Sequence, residues 1–366
     1  MSAVLNIALW VDQDCAVSIV RKERREREQE LDAGEVLVQT LYSGINPADL
    51  KHATMLGIRP AVLGYDFCGR VLKTQPGSLF TVGDIVAGST PSGLGRPPKY
   101  GAHQAYLVCP EDRAFRVPTH VPHPDAACIV AVARTAADAI FNLFGYPLPT
   151  NSTDASTDAP TAPIGPLLIW GASTSVGVCA LQYAHAIGAT PIFVTASPTR
   201  FSELRELGAT HCFDYRSPNV VADIRVAIDE ACRGPVAHAF DAAGSFEKPT
   251  SFDLLQQCVS ADARLVSVVL QPNSRCKLPL AYTDVAFRIQ PPGEPVLTIS
   301  PRIDDSRRSA RALEWALENY GREGGFKIPH VNVVGYAADK ALAAVQRVAA
   351  HGAGFEKLVI QHPLVE

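Results

Sequence analysis

The chain has 366 residues, of which 47% are hydrophobic and 19% charged. That is enough apolar material for two domains with separate cores, and too much for a disordered protein. The formal net charge of -4, with Lys+Arg 33 against Asp+Glu 37, offers no basic surface, so nucleic acid is not expected as a partner.

The opening MSAVLNIALWVDQDCAV lacks the basic start of a secretory signal and meets an acidic residue by Asp12. No run approaches the roughly 20 apolar residues of a bilayer span, so no membrane is expected. The cysteines, Cys15, Cys68, Cys109, Cys128, Cys179, Cys212, Cys232, Cys258 and Cys276, form no C-x-x-C pair, and several lie inside apolar runs. A free cysteine there acts as a small hydrophobe, and a reduced, cytoplasmic protein is expected.

In chain order, the first 130 or so residues read as β-rich. Short apolar runs such as EVLVQTLYSG (35–44), DIVAG (84–88) and AHQAYLVC (102–109) are separated by Gly/Pro turns. The charged stretch RKERREREQE (21–30) is nearly balanced in sign and reads as a solvated hairpin or loop. Residues 149–166, PTNSTDASTDAPTAPIGP, have a low-complexity composition that cannot pack a core, and read as a surface insertion.

From Leu167 the pattern becomes strand–helix alternation. Strands are expected at LLIW (167–170), PIFVTA (191–196), HCFDY (211–215), VAHAFDAAG (236–244) and ARLVSVVL (263–270), with helices over 176–187, 201–207, 220–232 and near 247–259. Apolar strands alternating with helices imply a parallel sheet covered on both faces. The tail, with helices at 306–325 and 336–352, a strand near 330–334 and a last strand FEKLVIQ (355–361), leaves that rhythm. The expected fold is α/β, with a doubly wound nucleotide domain at 131–300 inserted into a β-rich domain made of 1–130 and 301–366.

The first strand–helix junction, Gly171-Ala172-Ser173-Thr174-Ser175-Val176-Gly177, has the order a dinucleotide fold requires: strand, small-residue turn, helix N-terminus facing the pyrophosphate. Aligned on Gly177, Thr174 takes the place where glycine normally lets the backbone approach phosphate, and the Ser173 and Thr174 hydroxyls become candidate phosphate donors. The second strand ends in Thr195-Ala196-Ser197-Pro198-Thr199-Arg200, without the carboxylate that would hold the ribose diol of NAD. Ser197 and Arg200 suit a ribose phosphate, and Tyr215, closing the third strand, is a further candidate. NADPH is therefore the expected cofactor.

Four stretches resemble the medium-chain dehydrogenase/reductase superfamily, quinone-oxidoreductase branch. They are Gly44-Ile45-Asn46-Pro47-Ala48-Asp49-Leu50-Lys51, Leu63-Gly64-Tyr65-Asp66-Phe67-Cys68-Gly69, Val82-Gly83-Asp84-Ile85-Val86 and Glu356-Lys357-Leu358-Val359. The resemblance implies a GroES-like catalytic domain split around a Rossmann domain. Tyr65 stands where zinc-dependent members carry a ligand histidine, and three zinc ligands cannot be assembled, so no metal is expected. The Ser-Thr turn, with Ala48-Asp49-Leu50-Lys51, Ser197-Pro198-Thr199-Arg200 and Tyr215, is similar to fungal trans-acting enoyl reductases. These serve polyketide synthases whose own reductase domain is inactive.

That resemblance implies hydride transfer from NADPH to an α,β-unsaturated thioester carried by a polyketide synthase or hybrid synthetase, in a monomeric enzyme. Cofactor contacts are implied at Ala48, Asp49, Leu50, Lys51, Ser173, Thr174, Ser175, Val176, Gly177, Ser197, Pro198, Thr199, Arg200, Tyr215, Val268, Val269, Gly354 and Phe355. Acyl contacts are implied along Ile129, Val130, Ala131, Val132, Ala133, Arg134, Thr135 and Ala136, and along Tyr282, Thr283, Asp284, Val285 and Ala286. Arg134 is out of keeping with an apolar acyl pocket, and points either to a charged substrate or to cofactor phosphate. Lys51 is the candidate catalytic residue, stabilising the developing enolate; the alternative is a surface lysine after a turn. Asn46 and Asp49 are expected to fix their loop by side-chain hydrogen bonds. His52, Tyr42 or water would supply the α-proton, whereas His103, His120 and His123 are expected in surface or core positions. Two other functions stay open: a stand-alone quinone or enone oxidoreductase, and a non-reducing isomerase, cyclase or scaffold on the same fold.

Overall fold

The structure, a computed structural model, describes residues 4–24, 30–150, 164–231, 234–282 and 284–366. Most of the 149–166 segment, part of the charged stretch at 21–30, Cys232 and Thr283 lie outside the described residues. In chain order the elements begin with β1 (Val4–Val11), β2 (Val17–Arg24), β3 (Glu35–Gly44), α1 (Ala48–Leu56), β4 (Ala61–Val62), β5 (Asp66–Lys73), β6 (Ile85–Ser89), β7 (Tyr106–Pro110), β8 (Ala114–Arg116) and α2 (His123–Ala137). The middle holds β9 (Leu167–Trp170), α3 (Ser175–Ala186), β10 (Ile192–Ala196), α4 (Phe201–Glu206), β11 (His211–Asp214), α5 (Val220–Ala231), β12 (His238–Asp241), α6 (Ser251–Gln257), β13 (Arg264–Ser267) and β14 (Cys276–Lys277). The chain finishes with β15 (Phe287–Ile289), β16 (Leu297–Ile299), α7 (Ile303–Glu318), β17 (Val331–Ala337), α8 (Ala338–His351) and β18 (Lys357–Val365).

The chain divides into two compact units. One comprises 1–131, 285–301 and 329–366; the other comprises 132–284 and 302–328. This differs from a division at 300/301. The β15–β16 hairpin goes with the first unit, and α7 with the second, because the Tyr183 hydroxyl of α3 donates to the Ala312 carbonyl of α7 at 3.2 Å.

In the first unit a seven-stranded sheet runs β17-β18-β3-β5-β6-β8, with β7 also paired to β3. The last strand, β18, lies between β17 (parallel) and β3 (antiparallel). Helix α8 buries Ala338, Ala341, Ala344, Val345, Val348 and Ala349, the i, i+3, i+4, i+7 stripe of an amphipathic helix. That stripe packs into a core with Leu9, Ile45, Leu63, Leu358 and Ile360. Gly44, at the end of β3, is required by close approach: a Cβ there would stand 2.5 Å from the Ala127 carbonyl oxygen and 2.8 Å from Cys128 Cα of α2.

The second unit holds a parallel sheet of order β11-β10-β9-β12-β13-β14. The first strand lies at the centre and the order reverses between β9 and β12, the doubly wound arrangement. All four residues of β9 are buried, as a strand covered on both faces must be. Five of its strands match the sequence pattern. The sixth, β14, is two residues long and too short to carry a period.

Helix α2 continues through a π-helical turn at Asp138–Leu143. Against the sequence expectation, the combined stretch His123–Leu143 is long and apolar enough for a bilayer span, but 78% of its most apolar window is buried inside the protein, as in a core helix.

Candidate active site

In the second unit the site residues gather where the carboxyl ends of β9, β10, β12 and β13 meet the following turns. Gly171 has φ 82°, and a Cβ there would sit 2.7 Å from Ala243 Cβ. A Cβ on Gly177 would lie 2.3 Å from the Gly171 carbonyl oxygen, so this glycine lets α3 start directly against the turn. Thr174 caps α3 with extended backbone, φ -75° and ψ 157°, a conformation any residue adopts, so the missing glycine introduces no strain. Its hydroxyl accepts from the Gly177 N–H at 3.0 Å and donates to the Ala242 carbonyl at 3.0 Å. That corrects one expectation: the Thr174 proton is committed to the protein and is not a phosphate donor. Ser173, Ser175 and Val176 remain partly exposed at the helix start.

The turn after β12 is held by Asp241. Its carboxylate accepts from the Ala243 and Gly244 N–H groups and from the Ser267 hydroxyl at 2.8 Å. Burial raises its pKa, opposed by those hydrogen bonds. A Cβ on Gly244 would meet Val268 and Val269 at under 3 Å, so these two valines close onto the turn. The residues present thus fit a dinucleotide: a helix N-terminus, a crowded glycine turn and a strand-order reversal coincide.

At the far side of the same edge, β10 and β11 pair in parallel with Ala196 opposite Asp214. The residues that follow each strand therefore come side by side. Ser197 meets Arg216, whose Nη2 donates to its hydroxyl oxygen at 3.0 Å. Arg200 pairs with Glu203 at 3.0 Å, and Tyr215 is exposed. Pro198 and Thr199 form a short 3-10 turn with Arg200. Arg216 was not singled out by the sequence; the register of two parallel strands is the signal that finds it.

Arg134 is a second correction. It is 4% exposed, with Nε donating to the Ala281 carbonyl at 2.8 Å and Nη2 to the Ser306 carbonyl and hydroxyl. Its guanidinium lies 3.8 Å from the Tyr282 ring centroid. It ties the two expected acyl-contact segments together at Tyr282 and is spent on carbonyls, so it is aimed neither at a phosphate nor at an acyl chain. Of the same segments, Ile129, Val130, Val132, Ala133 and Ala136 are buried, Ala131, Thr135 and Asp284 half-buried, and Val285 and Ala286 exposed.

In the first unit Ala48, Asp49, Leu50 and Lys51 form the first turn of α1. Lys51 is half-buried on a helix, not a surface lysine in a loop. Burial lowers its pKa, which strengthens it as a hydrogen-bond donor. A buried polar network fixes the start of this helix. The Asn46 N–H donates to Asp49 at 2.7 Å, and Asn46 Nδ2 donates to Asp66 at 3.0 Å. Lys357, at the start of β18, donates to the Ile45 carbonyl at 3.0 Å and to Asn46 Oδ1. Burial pushes Asp66 up to about 6, with Lys357 and Asn46 opposing. Gly354 and Phe355 lie just before β18, with the Phe355 ring 5.5 Å from that of His330.

Behind Asp49 runs a second chain. His103 Nε2 lies 3.2 Å from the Asp49 carboxylate, and Ser43 Oγ lies 2.9 Å from His103 Nδ1 and 2.7 Å from His362 Nε2. In the tautomer that donates from His103 Nε2 to Asp49, Ser43 donates to Nδ1 and accepts from His362 Nε2–H. His362 Nδ1 is then a bare acceptor, in keeping with its having no hydrogen-bond partner among the described residues. His52 Nδ1 lies 3.0 Å from the Tyr65 hydroxyl. Burial, aided by Arg96 and opposed by Asp49, lowers His52 to about 4, so it is neutral at neutral pH. His120 and His123 are exposed.

Residues 32–119 match the alcohol dehydrogenase GroES-like domain, and residues 175–287 match the zinc-binding dehydrogenase domain. Trans-enoyl reductase resD of Aspergillus sclerotiorum is 33% identical over 187 residues, 50% of this chain and 52% of that protein. The chain spans about half the length of the curated relatives it matches. Among solved structures, a quinone oxidoreductase of Pseudomonas syringae pv. Tomato DC3000 aligns with TM-score 0.68 and 17% identity over 98% of this chain and 100% of that one. A mycobacterial protein solved with NADPH aligns with TM-score 0.65 and 18% identity over 98% and 100%.

The zinc in one domain's description does not fit the residues here. Tyr65 is a buried phenol whose pKa burial raises, hydrogen-bonded to His52, with the Arg96 guanidinium 4.2 Å from its ring centroid. A fixed cation at that distance opposes a metal ion. Among the described residues no three His, Cys, Asp or Glu side chains gather to hold one. The GroES-like and dehydrogenase domain models, matched in this order, together cover just over half of the residues, and on that ground the chain belongs to the medium-chain dehydrogenase/reductases.

Proposed function

We propose that the protein is an NADPH-dependent enoyl reductase acting in trans on α,β-unsaturated thioesters carried by a polyketide synthase. The observation that carries the cofactor choice is the pairing of β10 with β11. It brings Ser197 and Tyr215 to one edge with two arginines, and β10 ends without the carboxylate that would hold a ribose diol. The name of the Aspergillus relative supports the substrate class.

Bound NADPH supplies the hydride, delivered to the β-carbon of the thioester. Lys51, held on the first turn of α1 by the Asn46, Asp49 and Lys357 network, donates to the thioester oxygen as negative charge develops there. His52 is neutral and engaged with Tyr65, which leaves Tyr42 or water as the source of the α-proton.

The test is NADPH consumption, with product identification, on matched free and carrier-bound enoyl thioesters. Faster turnover of the carrier-bound series supports the proposal. Turnover confined to free enones or quinones supports a stand-alone oxidoreductase, and product without NADPH consumption supports an isomerase or cyclase.

A further inference from the structure

The second unit holds a cation that the assignment from sequence does not use. Arg216 follows Tyr215 in a tight turn, its N–H bound by Asp214 at 3.1 Å. Its guanidinium carbon lies 5.2 Å from the Tyr215 ring centroid. One Nη donates to Ser197 at 3.0 Å, Nε is 3.6 Å from Asp214 Oδ1, and the side chain is 60% exposed. Arg200 is placed differently: its side chain turns along its own short helix to Glu203, at 3.0 Å, and is 35% exposed.

Hydrogen-bond direction matters here. Because Ser197 Oγ accepts from Arg216, the serine proton is left to donate outward. A guanidinium, a hydroxyl proton and the neighbouring phenol thus converge at the ends of β10 and β11. The Asp214 contact is longer than a normal hydrogen bond and partly exposed, so a doubly charged phosphate displaces it readily. A guanidinium forms two parallel bonds to such a group.

We propose that Arg216 reads the ribose 2′-phosphate of NADPH, with Ser197 and Tyr215 donating beside it, while Arg200 supplies only background charge. This rests on the NADPH reading above and assigns the discrimination to one residue.

The test titrates the full chain with NADPH, NADH, 2′,5′-ADP and 5′-AMP. Arg216→Gln is expected to weaken NADPH and 2′,5′-ADP by roughly ten- to a hundredfold, the range for a hydrogen bond to a charged group. NADH and 5′-AMP should bind as before. Arg216→Lys should recover part of the loss, since it keeps the charge and lacks the fork, and Arg200→Gln should cost less than about fivefold. A wild-type preference for NADPH that survives Arg216→Gln, or falls further in Arg200→Gln, overturns the assignment to Arg216. A wild-type protein without that preference overturns the NADPH reading itself, and the assignment with it.

Discussion

Glutamine at position 362 separates the acid sensitivity of the first unit's core from its packing. Burial, with His103 adding to it, lowers the folded His362 from 6.5 to about 3, so the folded ring is neutral. The unfolded ring takes up its proton near pH 6.5. A group depressed in this way contributes its full stability above pH 6.5 and loses it as pH falls, by about 1.4 kcal/mol per pH unit, until the folded ring titrates. From pH 7.5 to 5.0 the loss attributable to His362 is therefore about 2 kcal/mol. His362→Gln keeps an N–H for Ser43 and removes the titration. Urea unfolding of both proteins at both pH values measures the difference. The variant should be less stable at pH 7.5 by about 1 kcal/mol, yet lose about 2 kcal/mol less than the wild type on acidification. Equal losses in the two proteins would refute a neutral, buried His362.

Lys51→Met should lower the single-turnover rate on the order of a hundredfold while the NADPH dissociation constant barely moves; an unchanged rate in a folded variant would remove Lys51 from the chemistry. Arg134→Met should cost about 2–4 kcal/mol in unfolding free energy, because the Ala281 and Ser306 carbonyls lose charged donors. A fully stable variant with lost activity would instead return Arg134 to the substrate. Gly177→Ala pushes a methyl group against the Gly171 carbonyl, and should cost about 1–3 kcal/mol together with weaker NADPH binding. Thermal unfolding and cofactor titration read the two effects, and wild-type values in both would show that α3 does not need its close start.

The parallel sheet was legible because each buried strand is a run of apolar residues bounded by turns, and β9 and β10 fall where the pattern puts them. α7 was assigned to the wrong unit because chain continuity is a poor guide to packing: Ala312 reaches the Tyr183 hydroxyl across 129 residues of sequence. Arg134 looked like a ligand because a sequence shows its charge and not the carbonyls that absorb it. Arg216 is not legible in the loop after the second strand: it follows the third, and the pairing of β10 with β11, which no local pattern encodes, brings it to Ser197. The sequence alone leaves Lys51 open to being a surface lysine after a turn, because it does not show that Pro47 sits at the N-cap of α1 and that Lys51 is half-buried on that helix.

The buried network under α1 also sets an order of events during synthesis. Its anchors join Asn46 to Lys357 and Ser43 to His362, 311 and 319 residues apart, whereas the second unit's parallel sheet is complete by Lys277. A nascent chain can therefore assemble that sheet while α1 still lacks its foundation, since long-range pairings form late and local units first. Until β18 is released, Asn46 and Asp66 are two polar groups of an open sheet, and a ribosome stalled before residue 357 holds a nucleotide fold without an ordered Lys51.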